Sequence, residues 1–178
     1  YCANYSDPTF NNVIITNNIG NGLFATDYSA PVLNNTTISS NTGHGVGSSW
    51  RGHPNLNNVT ISLNGSRGVD CSALGFATLN NSRILYNTDW GLHCWNLSSA
   101  TINNSVISHN GGGGVRSYTN GSNTLNNVTI SYNNGNGIYS SNGGTFKYLT
   151  VLSNGGYGIL ADSEITADSS NILNNGYG

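Results

Sequence analysis

Residues 125–138 read LNNVTISYNNGNGI, and nearly the same text begins at Leu33 (LNNTTISSNTGHGV) and at Leu56 (LNNVTISLNGSRGV). The repeat starts with an apolar residue that returns every 23 residues and, the last time, after 21. These leading residues are Phe10, Leu33, Leu56, Leu79, Ile102, Leu125 and Phe146. Self-similarity at such a period is typical of solenoids, in which each repeat forms one coil. The sequence therefore predicts about seven coils of 21–23 residues that start near residues 10, 33, 56, 79, 102, 125 and 146.

The pattern within one coil predicts strands. Counting the leading residue as position 0, positions 3 and 5 are apolar or small and position 4 is mostly polar, as in Val128-Thr129-Ile130. This alternation indicates a short strand with one buried face. Position 8 is Asn and position 12 is Gly, which predicts a turn because both residues tolerate positive φ. A second strand is predicted over positions 13–15, and a third leads back to the next leading residue.

Such a coil cannot bury its apolar face alone, whereas stacked coils about 4.8 Å apart can do so. The Asn pairs at positions 1 and 2, such as Asn57 and Asn58, predict amide ladders along one corner. No segment has helical periodicity, and the spacing of a leucine-rich repeat is absent.

The text resembles the parallel β-helix repeat family of extracellular and surface proteins over about residues 10–160. The resemblance implies an all-β, right-handed single-stranded parallel β-helix with three short parallel sheets. Residues 1–178 are expected to form a single domain. Cys2 falls in phase with a strand position and Gly178 with a turn, and no cap is evident. We therefore expect a segment of a longer solenoid, or a subunit that stacks end to end on itself.

Composition limits the partners. Charged residues make up 7% of the chain and the net charge is −2, so neither nucleic acid nor an anionic membrane is favoured. No apolar run is long enough to span a membrane. No cofactor and no metal site are expected, because the acidic residues are scattered. Low charge, the absence of Met and the polar ladders suit an extracellular or cell-surface protein.

Cysteines and asparagines offer candidate covalent sites. Cys71 and Cys94 occupy the same inward position on adjacent coils, which allows either a disulfide or a stack of buried free thiols. Ten Asn-X-Ser/Thr sequons are present. The candidates for glycosylation, placed in predicted turns or loops, are Asn4, Asn64, Asn96 and Asn120.

One outward column could carry chemistry. Position 14 places Asp70, His93 and Arg116 on consecutive coils, so an acid, an imidazole and a guanidinium should line up. An acid–base pair with a nearby cation could bind or cleave an acidic sugar chain. Opposite charges on adjacent coils could equally serve to avoid repulsion on the surface. Pectin hydrolases of this fold carry the motifs NTD, DD, GHG and an Arg–Lys motif. This chain has the first and third in reversed order and lacks the other two.

Aromatic residues are the candidates for sugar contact. Tyr86 and Tyr132 lie in one column beside the Asn–Gly turn, and Trp90 and Trp95 lie in turns or loops. Such rings could stack on sugars or could simply cover the corner of the stack.

Two functions therefore remain open. The first is an extracellular structural solenoid, which acts as a rod, stalk or filament subunit and is glycosylated or not. The second is a carbohydrate-binding or polysaccharide-cleaving β-helix that uses the Asp70–His93–Arg116 strip.

Overall fold

The computed structural model describes residues 1–177 and is built from 21 strands in that range. Most strands are only three residues long, because each spans one side of a coil. Numbered in chain order they are β1 Thr9–Asn11, β2 Ile14–Thr16, β3 Leu23–Ala25, β4 Val32–Asn34, β5 Thr37–Ser39, β6 Val46–Ser48, β7 Asn55–Asn57, β8 Thr60–Ser62, β9 Val69–Cys71, β10 Phe76–Asn80, β11 Arg83–Leu85, β12 Leu92–Trp95, β13 Ser99–Ser108, β14 Val115–Tyr118, β15 Asn123–Ser131, β16 Ile138–Ser140, β17 Gly144–Lys147, β18 Thr150–Leu152, β19 Ile159–Ala161, β20 Thr166–Asp168 and β21 Asn171–Leu173.

All pairings between these strands are parallel and join one coil to the next, which confirms the stack of coils. The register is the 23-residue period, for example Leu56 with Leu79, and becomes 21 residues where Leu125 pairs with Phe146. The predicted three columns of strands are present, but they form two hydrogen-bonded sheets. β13 and β15 run without interruption through two columns and merge them into a fourteen-stranded sheet. The third column is a seven-stranded sheet, in the order β19-β16-β14-β12-β9-β6-β3.

The core is a single apolar cluster inside the stack. The leading residues from Leu33 to Phe146 are at most 1% exposed. The Ile or Val at position 5 and the apolar residue at position 13 pack against them, as Ile61 and Val69 do in one coil. Each coil contributes the same few side chains, and the apolar area that each coil buries against the next stabilises the fold.

Cys71 and Cys94 are register partners on β9 and β12, and both are completely buried. They are free thiols, so the disulfide is not formed, and the alternative of stacked buried thiols is the one observed. The hydrogen bond with Cys94, together with burial, raises the pKa of the Cys71 thiol well above its usual range.

The Asn pairs form the predicted ladders at the corner between the first two strands of each coil. We call the column at position 1 the outer ladder: each Nδ2 donates to the Oδ1 of the preceding coil at 2.8–3.0 Å. Its members are Asn11, Asn34, Asn57, Asn80 and Asn103. Fewer hydrogen bonds join the residues at position 2; one of them runs from Asn58 Nδ2 to Asn35 Oδ1.

A second asparagine column, at position 8, was predicted only as part of a turn and is instead a structural element that is buried from Asn41 to Asn154. We call it the inner ladder; it comprises Asn18, Asn41, Asn64, Asn87, Asn110, Asn133, Asn154 and Asn175. In the middle of the stack, the Oδ1 of Asn87 accepts from both the backbone N–H and the Nδ2 of Asn64, at 3.1 and 2.9 Å. Its Nδ2 donates to Ile61 O and Asn110 Oδ1. Asn87 is 1% exposed, so these bonds satisfy polar groups that water cannot reach.

The glycines at position 12 also differ from the expectation. They were predicted for positive φ, but within residues 1–177 positive φ among glycines occurs only at Gly20 and Gly143. At Gly68, a Cβ would meet the side chain of Ile84 and would lie 2.6 Å from Gly91 O of the next coil. Glycine is required there because the coils approach one another closely.

Candidate functional site

The predicted column on the outer face of the seven-stranded sheet is present. Asp70, His93 and Arg116 are register partners on β9, β12 and β14, followed by Tyr139 on β16. His93 Nδ1 lies 3.0 Å from Asp70 Oδ1. Asp70 is 8% exposed and His93 is 6% exposed. The pair is therefore held in a fixed geometry to which water has little access.

Arg67, from the turn before β9, completes the acidic side of the column. Its Nη1 lies 2.6 Å from Asp70 Oδ1, and its Nε lies 3.2 Å from Asp89 of the next coil. Burial alone would raise the pKa of Asp70, but the hydrogen bonds from His93 and Arg67 outweigh it and leave that pKa below its usual value. Asp70 is therefore a carboxylate at neutral pH.

The ionised carboxylate fixes the proton on His93. A carboxylate only accepts hydrogen bonds, so Nδ1 of His93 carries a proton that it donates to Asp70. In the neutral ring Nε2 then carries the lone pair, and it makes no hydrogen bond within residues 1–177. His93 is consequently oriented with Nε2 as the proton acceptor.

Arg116 lines up with His93 as predicted, but within residues 1–177 its guanidinium makes no hydrogen bond or ion pair with His93 or Asp70. Its guanidinium lies among three rings instead, 5.8 Å from the centroid of Trp90, 5.3 Å from Tyr118 and 5.7 Å from Tyr139. Its buried Nε has no hydrogen-bond partner in the described part of the chain. Arg67 is taken up by two carboxylates, whereas Arg116 keeps donors available for another anion.

We define the outer cleft by its lining residues Arg67, His93, Trp95, Arg116 and Tyr118, which enclose about 320 Å³. Trp95 and Tyr118 are register partners on adjacent coils and form one wall. Trp90 lies against Gly113, where a side chain would collide with the indole. Trp95 therefore lines the cleft, whereas Trp90 is not one of its lining residues and contacts the guanidinium of Arg116. Contact of either ring with a sugar stays a prediction.

Tyr86 and Tyr132 do not belong to the cleft. They lie at the end of the fourteen-stranded sheet's strands and form an aromatic row with His109 between them. Ring centroids are 4.8 Å apart for Tyr86–His109 and 5.2 Å for His109–Tyr132. Both tyrosines are 53% exposed, and the stacking of sugars on this row stays a prediction.

Two further residues of the site were not predicted in their observed roles. Arg67 was not among the predicted site residues, yet its Nη1 lies 2.6 Å from Asp70 Oδ1. Nδ1 of His44, one coil below, accepts from the backbone N–H of Arg67. Burial lowers the pKa of His44 more than nearby Asp70 raises it. Arg83 lies on β11 in the other sheet and takes no part in the site.

The glycosylation candidates fall into two environments. Asn64 was expected in a turn or loop open to modification, but it is completely buried in the inner ladder. Asn4, Asn96 and Asn120 are exposed.

Within residues 1–177, no group of three or more His, Cys, Asp or Glu side chains could hold a metal ion. Those residues also contain no helix with the length and hydropathy needed to cross a membrane.

No curated protein sequence matches the chain. One similar solved structure is the A-module of the Azotobacter vinelandii mannuronan C-5 epimerase AlgE4, with a TM-score of 0.73 and 16% identity. The match covers 97% of this chain and 55% of that module, so the chain spans about half of its length. At this identity the likeness shows the fold alone.

A family model described as a right handed beta helix region matches residues 1–103 and 96–178. These matches together span the whole sequence, and they agree with the parallel coils, the register and the ladders. The chain therefore belongs to the right-handed β-helix family.

Proposed function

We propose that the chain binds an acidic polysaccharide in the outer cleft, with a uronate carboxylate on Arg116. The observation that carries this proposal is the guanidinium of Arg116, which faces aromatic rings and has no carboxylate partner within residues 1–177. The shared fold with a module named as a mannuronan epimerase supports a sugar polymer as the ligand class.

The geometry suits a charged sugar in two ways. A planar guanidinium can bind a carboxylate through two parallel N–H groups, and the surrounding rings hold it in place. Trp95 and Tyr118 are about 40% and 46% exposed and offer surfaces against which the apolar face of a sugar can pack. Because sugar polymers are long, several coils can contribute contacts along the axis.

The Asp70–His93 pair adds a chemical role. A carboxylate bound at Arg116 would make the hydrogen on the adjacent sugar carbon more acidic, because the cation stabilises the negative charge that develops on its removal. His93 is one coil away and is oriented with Nε2 as the acceptor. The reaction class is proton abstraction next to a carboxylate. Return of a proton from water to the opposite face gives the epimer; alternatively, a carbon–carbon double bond forms as the bond to the glycosidic oxygen breaks, and that oxygen takes a proton from water.

Calorimetric titration with short polyuronates tests the binding. Arg116→Gln is expected to weaken binding by about ten- to a hundredfold, since a charge-assisted hydrogen-bonded contact contributes about 1.5–3 kcal/mol. Arg83→Gln is the matched control, because it removes an exposed arginine on the other sheet. A neutral oligosaccharide of similar length should bind weakly to the unmodified chain. Equal losses in both variants, or no binding of any acidic oligosaccharide, would reject the proposal.

The chemistry is tested separately. Proton NMR of the polymer after incubation reports both a changed configuration and an unsaturated end. His93→Ala should abolish either signal while Arg83→Gln keeps it. A chain that binds polyuronate yet produces neither signal is a binding module, not an enzyme.

The second candidate is a structural solenoid: an extracellular rod, stalk or filament subunit. The observation that favours it is the inner ladder, which from Asn41 to Asn154 links each coil to the next through buried amides. Such a rod would have its own coils or a second copy of the chain as partner. Electron microscopy of the concentrated protein tests this: filaments support it, and dispersed particles of one chain's length count against end-to-end stacking.

A further inference from the structure

Six successive turns at one corner of the stack carry two consecutive residues with positive φ, at positions 17 and 18, just after the seven-stranded sheet. We call this column of turns the αL corner. Its residue pairs are Asn4-Tyr5, Asp27-Tyr28, Trp50-Arg51, Ala73-Leu74, Asn96-Leu97 and Thr119-Asn120. The turn projects from the stack, and most of these side chains are exposed.

The ten sequons separate according to where they lie. Six have their Asn in the ladders at positions 1 and 2, where the amides hydrogen-bond from coil to coil: Asn34, Asn35, Asn58, Asn80, Asn103 and Asn127. A seventh, Asn64, is buried in the inner ladder. The other three, Asn4, Asn96 and Asn120, all lie on the αL corner, are exposed, and make no side-chain hydrogen bond within residues 1–177.

We propose that N-linked glycans are attached at Asn4, Asn96 and Asn120, so that the αL corner is the glycosylated edge of the solenoid. The donor is an oligosaccharide joined to a polyprenyl diphosphate. The amide nitrogen Nδ2 bonds to the anomeric carbon, the bond from that carbon to the diphosphate oxygen breaks, and one Nδ2 proton passes to the transferase. The polyprenyl diphosphate leaves, and no oxidation or reduction occurs.

The surface around Asn96 gives this modification a physical role. Trp50, Leu74 and Leu97 are 64%, 42% and 54% exposed, which leaves a row of apolar side chains in water. Asn96 lies beside them and shares a 120 Å³ depression lined by Trp50, Ala73, Leu74 and Leu97. A glycan attached to Asn96 can place the apolar face of its first sugar over this row. This covering lowers the tendency of an exposed apolar patch to self-associate.

The chain supplies a matched pair for the test. Asn120-Gly121-Ser122 and Asn64-Gly65-Ser66 are the same tripeptide, one on the αL corner and one in the inner ladder. The full chain is expressed with a secretion signal in eukaryotic cells, and the folded monomer is isolated by size exclusion and checked by circular dichroism. Glycans are removed enzymatically in heavy-oxygen water, and labelled sites are mapped by mass spectrometry.

We expect label at Asn4, Asn96 and Asn120 and none at Asn64 in the folded fraction. Label at Asn64 equal to that at Asn120 would overturn the proposal, as would a folded secreted chain with no label on the αL corner. The variant Asn96→Gln should lose the mass of one glycan, whereas Asn58→Gln should lose none. An equal loss of mass in the two variants would also reject the assignment.

Discussion

Replacing Asn87 by Ala tests whether the inner ladder holds the coils together. The change removes an Oδ1 that accepts from the backbone N–H and Nδ2 of Asn64 at 3.1 and 2.9 Å. Both donors are buried, and leaving a buried polar group unpaired costs about 1–3 kcal/mol each. The expected loss is therefore about 2–6 kcal/mol in the free energy of unfolding, before any contribution from the cavity.

The matched control is Asn57→Ala in the outer ladder. Asn57 makes comparable bonds, donating to Asn34 and accepting from Asn80, both at 3.0 Å. It is only partly buried, so water can replace these partners, and the expected loss is about 1 kcal/mol. Equilibrium unfolding in urea measures both variants, with an unchanged slope showing that the comparison is valid.

The isosteric change Asn87→Asp refines the test. It keeps the shape but sets a carboxylate oxygen against Asn110 Oδ1 and Ile61 O, where Nδ2 donated at 3.0 and 3.2 Å. It should destabilise at least as much as Ala, and more at neutral than at acid pH, where the carboxyl can be protonated.

If Asn87→Ala costs no more than Asn57→Ala, the inner ladder is not a main source of stability and the reasoning fails.

Three further predictions concern packing, titration and the thiols. Gly68→Ala should destabilise by about 1–3 kcal/mol, because its Cβ would collide with Ile84 and Gly91 O, and thermal unfolding would show this; an unchanged midpoint would mean that the coils can move apart. The folded pKa of Asp70 lies below its ordinary 3.8, so the stability that it contributes is present above that pH and is lost as the pH falls through the folded value. Asp70→Asn should therefore flatten the acid limb of a stability–pH curve, and an unaltered limb would contradict the assignment. Cys2, Cys71 and Cys94 are buried and free, so an aromatic disulfide reagent should react with them only as fast as the chain unfolds; rapid reaction of the native protein would argue against their burial.

The fold was predictable because the apolar pattern repeats in one phase. A leading residue every 23 positions fixes which residues become neighbours, so the alignment of Leu56 with Leu79 and of Asp70 with His93 followed from counting. The outer ladder followed in the same way, since an Asn pair that recurs in phase must stack.

What the sequence could not reveal depends on neighbours that counting alone does not distinguish. Asn64 precedes Gly65 and resembles a surface turn, yet it is buried, because the turn folds its side chain inward beneath the next coil. The 23-residue period places Arg116 beside His93, but the direction of a long side chain depends on what surrounds it. The guanidinium of Arg116 packs against aromatic rings. The pairing of Arg67 with Asp70 could not be predicted for the same reason, since it depends on the direction of the long arginine side chain.

The inner ladder also bears on the chemical ageing of the chain. Asn–Gly sequences ordinarily lose ammonia readily, because the backbone nitrogen of the glycine attacks the side-chain carbonyl carbon. Here the N–H groups of Gly65, Gly111 and Gly155 are each hydrogen-bonded at 2.8 Å to a carbonyl of the preceding coil. The side chains of Asn64, Asn110 and Asn154 are held in turn by their ladder partners, out of reach of that attack. These three Asn–Gly bonds are thus protected for as long as the coils stay stacked, whereas Asn120-Gly121, whose asparagine is exposed on the αL corner, lacks this protection.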